Sequence, residues 1–361
     1  MKMIASSRLY SVSILIWLTC LCLAAQPCVA MAQANAPEPL QPEAQEALNK
    51  GIIAAKLPDY PLAIRYFEEA RKIAPQDPVI YLNLGLAESR IPGRELRAIA
   101  WFGAYLAAYA EAPNTAAVKE QIAMLEVKNQ SNLLRLIKTV EDAAGQLADN
   151  DPYLVGVAIM WAEVGDFSGA QKTIGLIKHS LMKSRALTYL ADAEIEKGDV
   201  IGARNTLAAA LKSADRIDRE PHIGITTPKG AKNQAIAYIA KAQAKSGDSV
   251  GAQKTFDLID DASSKRYHLT EFEKTGFPNA PIPTRQSPSI KVSDWLRILD
   301  DKDGSKECPL NTGLFLDLAD YLKKSMSQGT NSYGVYSSLK ETAEKIIKAQ
   351  KVIHQMLKAG G

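Results

Sequence analysis

The sequence predicts an all-α protein built from repeated helix–turn–helix units, and two observations carry this prediction. A hexapeptide of the form Gly-Asp-x-x-Gly-Ala occurs three times, at residues 165–170, 198–203 and 247–252. Around each copy, small and apolar residues recur at intervals of three, four and seven, which places them on one face of a helix. A helical hairpin cannot bury its apolar face alone, so we expect the copies to stack into a right-handed superhelical solenoid whose surfaces bind a partner.

The spacing of the copies predicts one insertion. Gly165 and Gly198 are 33 residues apart, whereas Gly198 and Gly247 are 49 residues apart. The additional residues fall at 216–231, where two prolines and two glycines interrupt any helical pattern. We therefore expect an intact repeat with a longer connection before it.

A related frame lies nearer the N-terminus and resembles the tetratricopeptide repeat. Its residues stand at that family's spacing: Gly51, Ala63, Phe67, Ala70 and Pro75, then Tyr81, Leu84 and Gly85 in the next copy. The second copy departs from the pattern, because Ala98 and Phe102 come one residue late. With the three Gly-Asp copies, which lack the family's proline, the resemblance covers about five repeats over residues 41–111 and 150–262. It implies a helical repeat protein of the secreted bacterial type that binds proteins or peptides.

The pattern divides the chain into six parts. They are a signal peptide (1–34), N-terminal repeats (35–113), a long connecting helix or helices (114–149), three Gly-Asp repeats (150–262), a Pro-rich irregular segment (263–290) and a C-terminal helical cap (291–361). A polar stretch at residues 129–132 leaves open whether the connecting region is one helix or two. The final amphipathic run has the apolar face that a capping helix needs.

The aspartates of the turns are predicted to be structural. Glycine at a helix end adopts the left-handed conformation, and the following aspartate accepts hydrogen bonds from the first N–H groups of the next helix. Capping residues of this kind are expected at Asp59, Asp166, Asp199 and Asp248. In the second repeat Gly93 is kept, but Arg94 replaces the aspartate.

The N-terminus predicts export. Lys2 and Arg8 precede an apolar run at residues 12–25, and small residues then offer a cleavage site near Ala32 or Ala34. We expect a periplasmic or secreted mature chain without a membrane span. An uncleaved signal anchor is the alternative, although the run is shorter than the roughly 20 residues that a span needs.

Composition excludes several classes of protein. The net charge is +3, and Lys2 and Arg8 contribute two of those charges, so nothing indicates nucleic-acid binding. Three of the four cysteines lie before residue 30, which leaves Cys308 without a partner for a disulfide in the mature chain. Stability is therefore expected to come from helix packing.

Motifs for chemistry are scarce. The residues at 301–304 resemble part of a calcium loop, but Leu299 and Leu310 fall where ligands are required. No motif of a hydrolase, zinc enzyme or nucleotide-binding protein occurs. Cys308 is more simply a structural thiol than a nucleophile. No cofactor and no metal are predicted.

Two surfaces are candidates for partner binding. The resemblance places groove-lining residues on the first helix of each repeat. They are Leu48, Ile52, Leu82, Leu86, Val155 and Ile159, followed by Asp192 and Lys241. The apolar part predicts binding of an apolar helix or strand rather than an acidic C-terminal tail, unless the chain's own C-terminal region fills it. Asp192 and Lys241 either pair with each other or contact a ligand.

The second surface is an edge formed by the two long connections. Its candidate residues are His222, Tyr267, His268, Glu271, Phe272 and Phe277, a mixture of aromatic, charged and histidine side chains. Long connections in compact domains are often functional, although mobile solvated loops explain them equally well. A metal site formed by His222, His268 and Glu271 is a weaker possibility.

The sequence thus favours an exported, non-catalytic module that binds a protein or peptide partner or acts as a scaffold in the cell envelope. The alternatives are a hydrolase or metal-dependent enzyme on a helical scaffold, and a structural spacer in an envelope complex.

Overall fold

The computed structural model describes residues 39–220, 227–273, 290–300 and 332–360. Within these ranges the chain forms fourteen α-helices, one 3₁₀ turn at Ile217–Arg219 and no strand. The prediction of an all-α protein is confirmed for this part of the chain. The predicted signal peptide, Cys308 and residues 301–304 lie outside the described residues.

The helices are numbered in chain order. The first seven are α1 (Pro42–Lys56), α2 (Tyr60–Ile73), α3 (Pro78–Ser89), α4 (Glu95–Ala108), α5 (Thr115–Gly145), α6 (Asp151–Glu163) and α7 (Phe167–Leu176). The second seven are α8 (Ser180–Glu196), α9 (Val200–Ala214), α10 (Pro228–Lys245), α11 (Ser249–Asp257), α12 (Ala262–Glu273), α13 (Val292–Leu299) and α14 (Ser332–Gly360).

Ten of the helices form five hairpins, at the places where the sequence predicts repeats. The pairs are α1–α2, α3–α4, α6–α7, α8–α9 and α10–α11, and the two helices of each pair pack on one another. In the last three hairpins the first helices also pack side by side, α6 on α8 and α8 on α10. The chain therefore buries its apolar faces between successive hairpins.

Each Gly-Asp turn closes one helix and opens the next. Gly165, Gly198 and Gly247 have φ angles of 85°, 85° and 81°, a region that side chains with a Cβ rarely adopt. The carboxylate of Asp199 then accepts a hydrogen bond from Gly202 N at 2.8 Å. Equivalent bonds join Asp166 to Gly169 N, Asp248 to Gly251 N and Asp59 to Leu62 N. Helix α4, which follows Arg94, has no side-chain cap.

The second glycine of the hexapeptide is explained by the close approach of the capping aspartate. A Cβ placed on Gly202 would lie 2.2 Å from Oδ2 of the capping residue Asp199, and one on Gly251 would lie 2.1 Å from Oδ2 of Asp248. The missing side chain thus lets the carboxylate approach the helix closely. In the first repeat Leu62 stands at this position, and its bond to Asp59 is longer, at 3.1 Å.

In each of the two N-terminal hairpins, a phenylalanine of the second helix packs on a glycine of the first. The ring of Phe67 lies against Gly51, where a Cβ would be 2.3 Å from Cε1, and the ring of Phe102 lies against Gly85 at 2.6 Å. Phe102 therefore fills the same space as Phe67 although it comes one residue late in the sequence. The turn before α4 accommodates the additional residue.

The connecting region is one helix, α5, without a break at the polar stretch. Asn129 is buried, and Gln130 Oε1 accepts a hydrogen bond from Gln350 of α14 at 2.8 Å. Asn132 donates a hydrogen bond to the buried Glu95, which also pairs with Lys128 at 2.9 Å. These polar residues continue the helix because neighbouring helices satisfy their side chains.

The described helices of the C-terminal region, which is predicted to be a helical cap at 291–361, pack on the middle of the chain. Helix α14 packs on α5, α4 and α6, while α13 packs on α4. Trp295 of α13 is buried against Gly103, and Asp300 accepts two hydrogen bonds from Arg71. Helices α4 and α5 present apolar residues on more faces than the helices adjacent to them in the chain cover, and α13 and α14 bury these faces.

Two predicted irregular segments are partly helical. Pro228 and Gly230 lie in the first turn of α10, where the side chain of Thr227 accepts a hydrogen bond from Gly230 N and proline is tolerated. The segment 263–290 begins inside helix α12, which extends to Glu273 because no proline or glycine occurs before that point. Asp261 stabilises its start by accepting a hydrogen bond from Ser264 N at 2.6 Å.

The buried apolar residues form two clusters. The larger one joins α1 to α8 with α13 and α14, and the smaller one joins α8 to α11. Helix α8 contributes to both clusters, so it connects α9, α10 and α11 to the larger core.

A candidate binding groove between α8 and α10

A groove runs between α8 and α10, the first helices of the fourth and fifth hairpins. It encloses a cavity of about 360 Å³. The lining residues on α8 are Leu181, Met182, Ser184, Arg185, Thr188, Tyr189 and Asp192. Those on α10 are Gln234, Ala235, Tyr238, Lys241, Ala242 and Lys245. Pockets that bind small molecules or peptide side chains begin at about this size.

The floor of the groove is made of small, buried residues. Ser184 and Thr188 lie on α8, and Ala235 and Ala242 lie on α10; none of the four is more than 8% exposed. Ser184 Oγ donates a hydrogen bond to Ala210 O of α9 at 3.1 Å, which fixes α8 against its hairpin partner. Small residues on both helices leave depth between them for an incoming side chain.

Two exposed tyrosines form the walls. Tyr189 is 41% exposed and Tyr238 is 52% exposed, although large aromatic side chains are usually more buried. The guanidinium of Arg185 lies 5.8 Å from the ring centroid of Tyr189 on the same helix. These rings offer flat apolar faces with a hydroxyl at one end, a combination that is frequent at binding surfaces.

The charged residues of the groove are predominantly cationic. Asp192 pairs with Lys245 at 2.9 Å, and both side chains are partly exposed. The sequence suggested a pair between Asp192 and Lys241, whereas the ion pair of Asp192 described above is with Lys245, one helical turn further along α10. Arg185 and Lys241 complete the charged lining, so three cations face one carboxylate.

The apolar groove residues predicted for the N-terminal repeats have a different role. Leu48 and Val155, which are predicted to line a groove, are 3% and 7% exposed and belong to the larger core. Ile52, Leu82 and Ile159 are partly buried against the same core. Leu86, at 43% exposed, is the one member of this set with a largely accessible side chain. The first helix of a hairpin packs on several neighbours, so its buried stripe is wider than the sequence alignment assumes.

Helix α14 covers the groove face of the third hairpin. Its Tyr336 ring lies 5.0 Å from the ring of Tyr153, and a Cβ on Gly156 would lie 3.2 Å from Tyr336 Oη and 3.3 Å from Lys340 Cε. Lys351 pairs with Glu163 further along α6. The chain's own C-terminal helix therefore occupies this face of α6, an alternative that the sequence leaves open.

The covered face and the open groove occupy equivalent repeat positions. Gly156, Tyr189 and Tyr238 each stand nine residues before their turn glycine. In the third hairpin this position is a glycine that admits the side chains of α14, and in the next two it is an exposed tyrosine. The open groove is thus a continuation of a face that is already occupied by a helix.

Among the lining residues, Asp192 and Lys241 were predicted as site residues, whereas the large and charged residues Arg185, Tyr189, Tyr238 and Lys245 were missed. A signal for two of them was present. Tyr189 and Tyr238 are 49 residues apart, the same distance as Gly198 and Gly247. The recurrence of an aromatic residue at one repeat position, on the polar side of a helix, could have identified the groove wall.

The predicted loop edge is largely outside the described residues. His222 and Phe277 are not described, and for Glu271 and Phe272 only the helical backbone of α12 is. Tyr267 is 77% exposed, and its ring meets that of His268 edge-on at 5.0 Å. Burial lowers the pKa of His268.

The beginning of the insertion after α9 is structural. Glu220 accepts hydrogen bonds from Ser180 N at 2.8 Å and from Ser180 Oγ at 2.5 Å. Asp151 of α6 accepts others from Lys178 N at 3.0 Å and His179 N at 2.6 Å. One carboxylate from α6 and one from the connection after α9 thus accept hydrogen bonds at the N-terminal end of α8, which carries one wall of the groove.

The described residues contain neither a candidate metal site nor a candidate membrane span. No group of three or more His, Cys, Asp or Glu residues is placed to hold a metal ion. Among the helices of these ranges, none combines the length and the apolar character needed to cross a bilayer.

Comparisons with known proteins give no match. No protein-family model matches the chain, no curated protein matches it, and no solved structure matches it.

Proposed function

We propose that this chain is a non-catalytic binding module built from tetratricopeptide-like helical repeats, and that the groove between α8 and α10 holds a segment of a protein partner. The observation that carries the proposal is the open groove itself. It combines a cavity of about 360 Å³ with two exposed tyrosines at one repeat position. Aromatic and arginine side chains of this kind dominate the binding energy of many interfaces.

The packing of the hairpins supports the repeat interpretation. Hairpins that pack mainly on their neighbours, with first helices side by side, are the arrangement from which a right-handed superhelical solenoid is built. Helix α14 on the face of α6 supplies an internal example of a chain segment seated on this surface. The signal-like N-terminus further favours a periplasmic or secreted location for the module.

The two alternative functions have less support. A hydrolase or metal enzyme needs converging nucleophiles, bases or ligands, and the groove offers two tyrosines, three cations and one carboxylate instead. A structural spacer in an envelope complex needs no groove, so the exposed tyrosines would have no role there.

Site-specific photocrosslinking tests the proposal. A benzoylphenylalanine in place of Tyr238 in the full chain, expressed in its native host, is expected to yield a discrete adduct. The matched control places the same residue at Val250, which is 68% exposed on α11, outside the groove. The adduct at Tyr238 should disappear when Tyr189 is also replaced by Ala. Equal adducts at both positions, or no adduct at Tyr238, would contradict the groove as the binding surface.

A further inference from the structure

We infer that a second groove, between α7 and α9, binds a phosphate group and holds it with Lys183, Lys212 and Arg216. The phosphate is that of a free anion or of a lipid headgroup. This inference goes beyond the proposed function, because this groove and the groove between α8 and α10 share no lining residue.

The second groove encloses a cavity of about 440 Å³. Helices α7 and α9 form its sides, and α8 contributes Lys183 and Leu187. A Cβ added to Gly175 of α7 would meet no heavy atom within 4 Å, so the space beside this helix is open. Among the described lining residues there are three cations, Lys183, Lys212 and Arg216, and no Asp or Glu.

The first argument is that these cations are not neutralised within the described part of the chain. The side chains of Lys183, Lys212 and Arg216 make no ion pair and no hydrogen bond there. Asp215 precedes Arg216 in the sequence, but its carboxylate pairs with Lys232 at 3.2 Å. Three uncompensated positive charges around one concave surface produce a local field that attracts anions.

The second argument comes from the equivalent position of the next hairpin. Lys183 and Lys232 are 49 residues apart, which is the distance between the turn glycines of their hairpins. Lys232 Nζ lies 3.2 Å from Asp215 and 3.1 Å from Asp218, two carboxylates of the long connection before α10. The connection before α8 consists only of residues 177–179 and contains no acidic residue. At Lys183 a ligand therefore supplies the anionic oxygens.

The third argument is the position of Lys183 in its helix. The N-terminal end of a helix carries a partial positive charge, which disfavours a cation in the first turn. Lys183 lies in the first turn of α8, which begins at Ser180. The helix dipole thus explains Lys212, in the last turn of α9, but not Lys183. A bound anion would stabilise both lysines.

The fourth argument concerns the kind of anion. A phosphate monoester carries about −1.5 to −2 charges at pH 7 and has three acceptor oxygens, so it balances three cations better than a singly charged carboxylate does. The forked guanidinium of Arg216 can donate two parallel hydrogen bonds to such a group. Gln171, Asn205 and Ser213 line the same cavity and offer additional N–H and O–H donors.

Binding of two phosphate probes to the full chain tests the inference. The first probe is radiolabelled inorganic phosphate in equilibrium dialysis. The second is a phosphatidylcholine vesicle with or without phosphatidic acid, in co-sedimentation. The test variant is K183Q/R216Q. Its matched control is R204Q/K254Q, which removes the same charge from exposed residues of α9 and α11 outside the cavity.

A second variant keeps all the cations. Gly175→Glu places a carboxylate in the open space beside them, and Gly175→Ala is its control. The glutamate should pair with the cations and compete with phosphate, whereas the alanine should leave binding unchanged. Neither substitution meets a heavy atom at Cβ, and thermal midpoints measured without phosphate check that both variants are folded.

At least one probe should bind the wild-type chain and the two control variants. K183Q/R216Q and Gly175→Glu should bind it about tenfold more weakly, or weaker still, because charge-assisted hydrogen bonds are lost. Binding of inorganic phosphate would identify a free anion as the ligand, and binding only to vesicles with phosphatidic acid would identify a lipid headgroup. Acetate should compete with bound phosphate about tenfold less effectively than unlabelled phosphate does.

Three results would overturn the inference. The first is an absence of binding to both probes. The second is binding that K183Q/R216Q retains at wild-type strength, which would show that other cations hold the phosphate. The third is equal competition by acetate, which would show that the site does not select phosphate. The proposed function stands in each case, because none of the substituted residues lines the groove between α8 and α10.

Discussion

Replacement of Gly103 by Ala should displace the C-terminal helix α13. An added Cβ would lie 2.5 Å from both Cε2 and Cζ2 of Trp295 and 2.7 Å from Cη2, whereas carbon atoms pack at about 3.5–4.0 Å. The ring must therefore move by about 1 Å or more, and overpacking of this kind costs about 1–3 kcal/mol. The higher helix propensity of alanine offsets about 0.8–1.0 kcal/mol. A net loss of up to about 2 kcal/mol is expected.

Two measurements distinguish this effect from general destabilisation. Acrylamide quenching of tryptophan fluorescence should increase, because Trp295 is only 3% exposed in the docked state. The thermal midpoint should fall by no more than about 2–4 °C per kcal/mol. The control is Gly145→Ala, where no heavy atom lies within 4 Å of the added Cβ, and it should leave quenching unchanged. Identical quenching in the two variants would refute the packing of Trp295 on Gly103.

Three further predictions concern other parts of the fold. Asp199→Ala removes the cap of α9 and should cost about 1 kcal/mol in a urea titration, whereas Asp199→Asn should retain most of that stability because it keeps the acceptor oxygen. Gly51→Ala places a Cβ 2.3 Å from the Phe67 ring and should cost about 1–3 kcal/mol, while Gly175→Ala, with nothing within 4 Å, should be neutral or slightly stabilising. Burial raises the pKa of Glu194 above its ordinary value of 4.5, with Thr206 hydrogen-bonded to it and Asp199 nearby. The folded state thus holds this proton more tightly than the unfolded chain, so stability should fall as the pH rises above about 4.5 until the folded pKa is passed. Glu194→Gln should reduce the difference between the thermal midpoints measured at pH 4.5 and at pH 8. A pH dependence equal to that of the wild-type chain would contradict the raised pKa of Glu194.

The local structure of the repeats could be predicted because it depends on neighbouring residues. A glycine that needs a positive φ and an aspartate that caps the next helix are both identified by their spacing. The hairpin at α10–α11 follows from Gly247 and Asp248 in this way. The start of α10 was harder to predict, since proline is accepted in a first helical turn. The extent of α12 was missed because the proline-rich segment that follows it was assumed to begin earlier.

The position of the C-terminal helices could not be predicted in the same way. Their contacts join residues that are far apart in the sequence, as in the pair of Arg71 with Asp300, which are 229 positions apart. One indication was available in α4, whose residues are apolar on almost every side, so that it requires more neighbours than one hairpin supplies. The sequence shows that such a helix is buried but not which segment covers it.

Only part of the groove could be predicted from the sequence. Asp192 and Lys241 could be placed on a common surface because repeat positions are equivalent. The burial of Leu48 and Val155 in the core could not be predicted, since it depends on how many helices surround the first helix of each hairpin. Which face remains open is decided by where α14 lies, and that is a non-local property of the chain.

The return of α14 to the middle of the protein affects the order in which the structure can form. A stack of hairpins joined only to their neighbours can assemble progressively as the chain emerges. Here the larger core also includes Leu339, Ala343 and Ile353 of α14, which lie far along the chain from the hairpins that α14 covers. Contacts of such long sequence separation slow folding, because closing a long loop must precede them. The faces of α4 and α6 that contact α14 are therefore completed only when this distant segment has docked, so we expect the larger core to form cooperatively rather than one hairpin at a time.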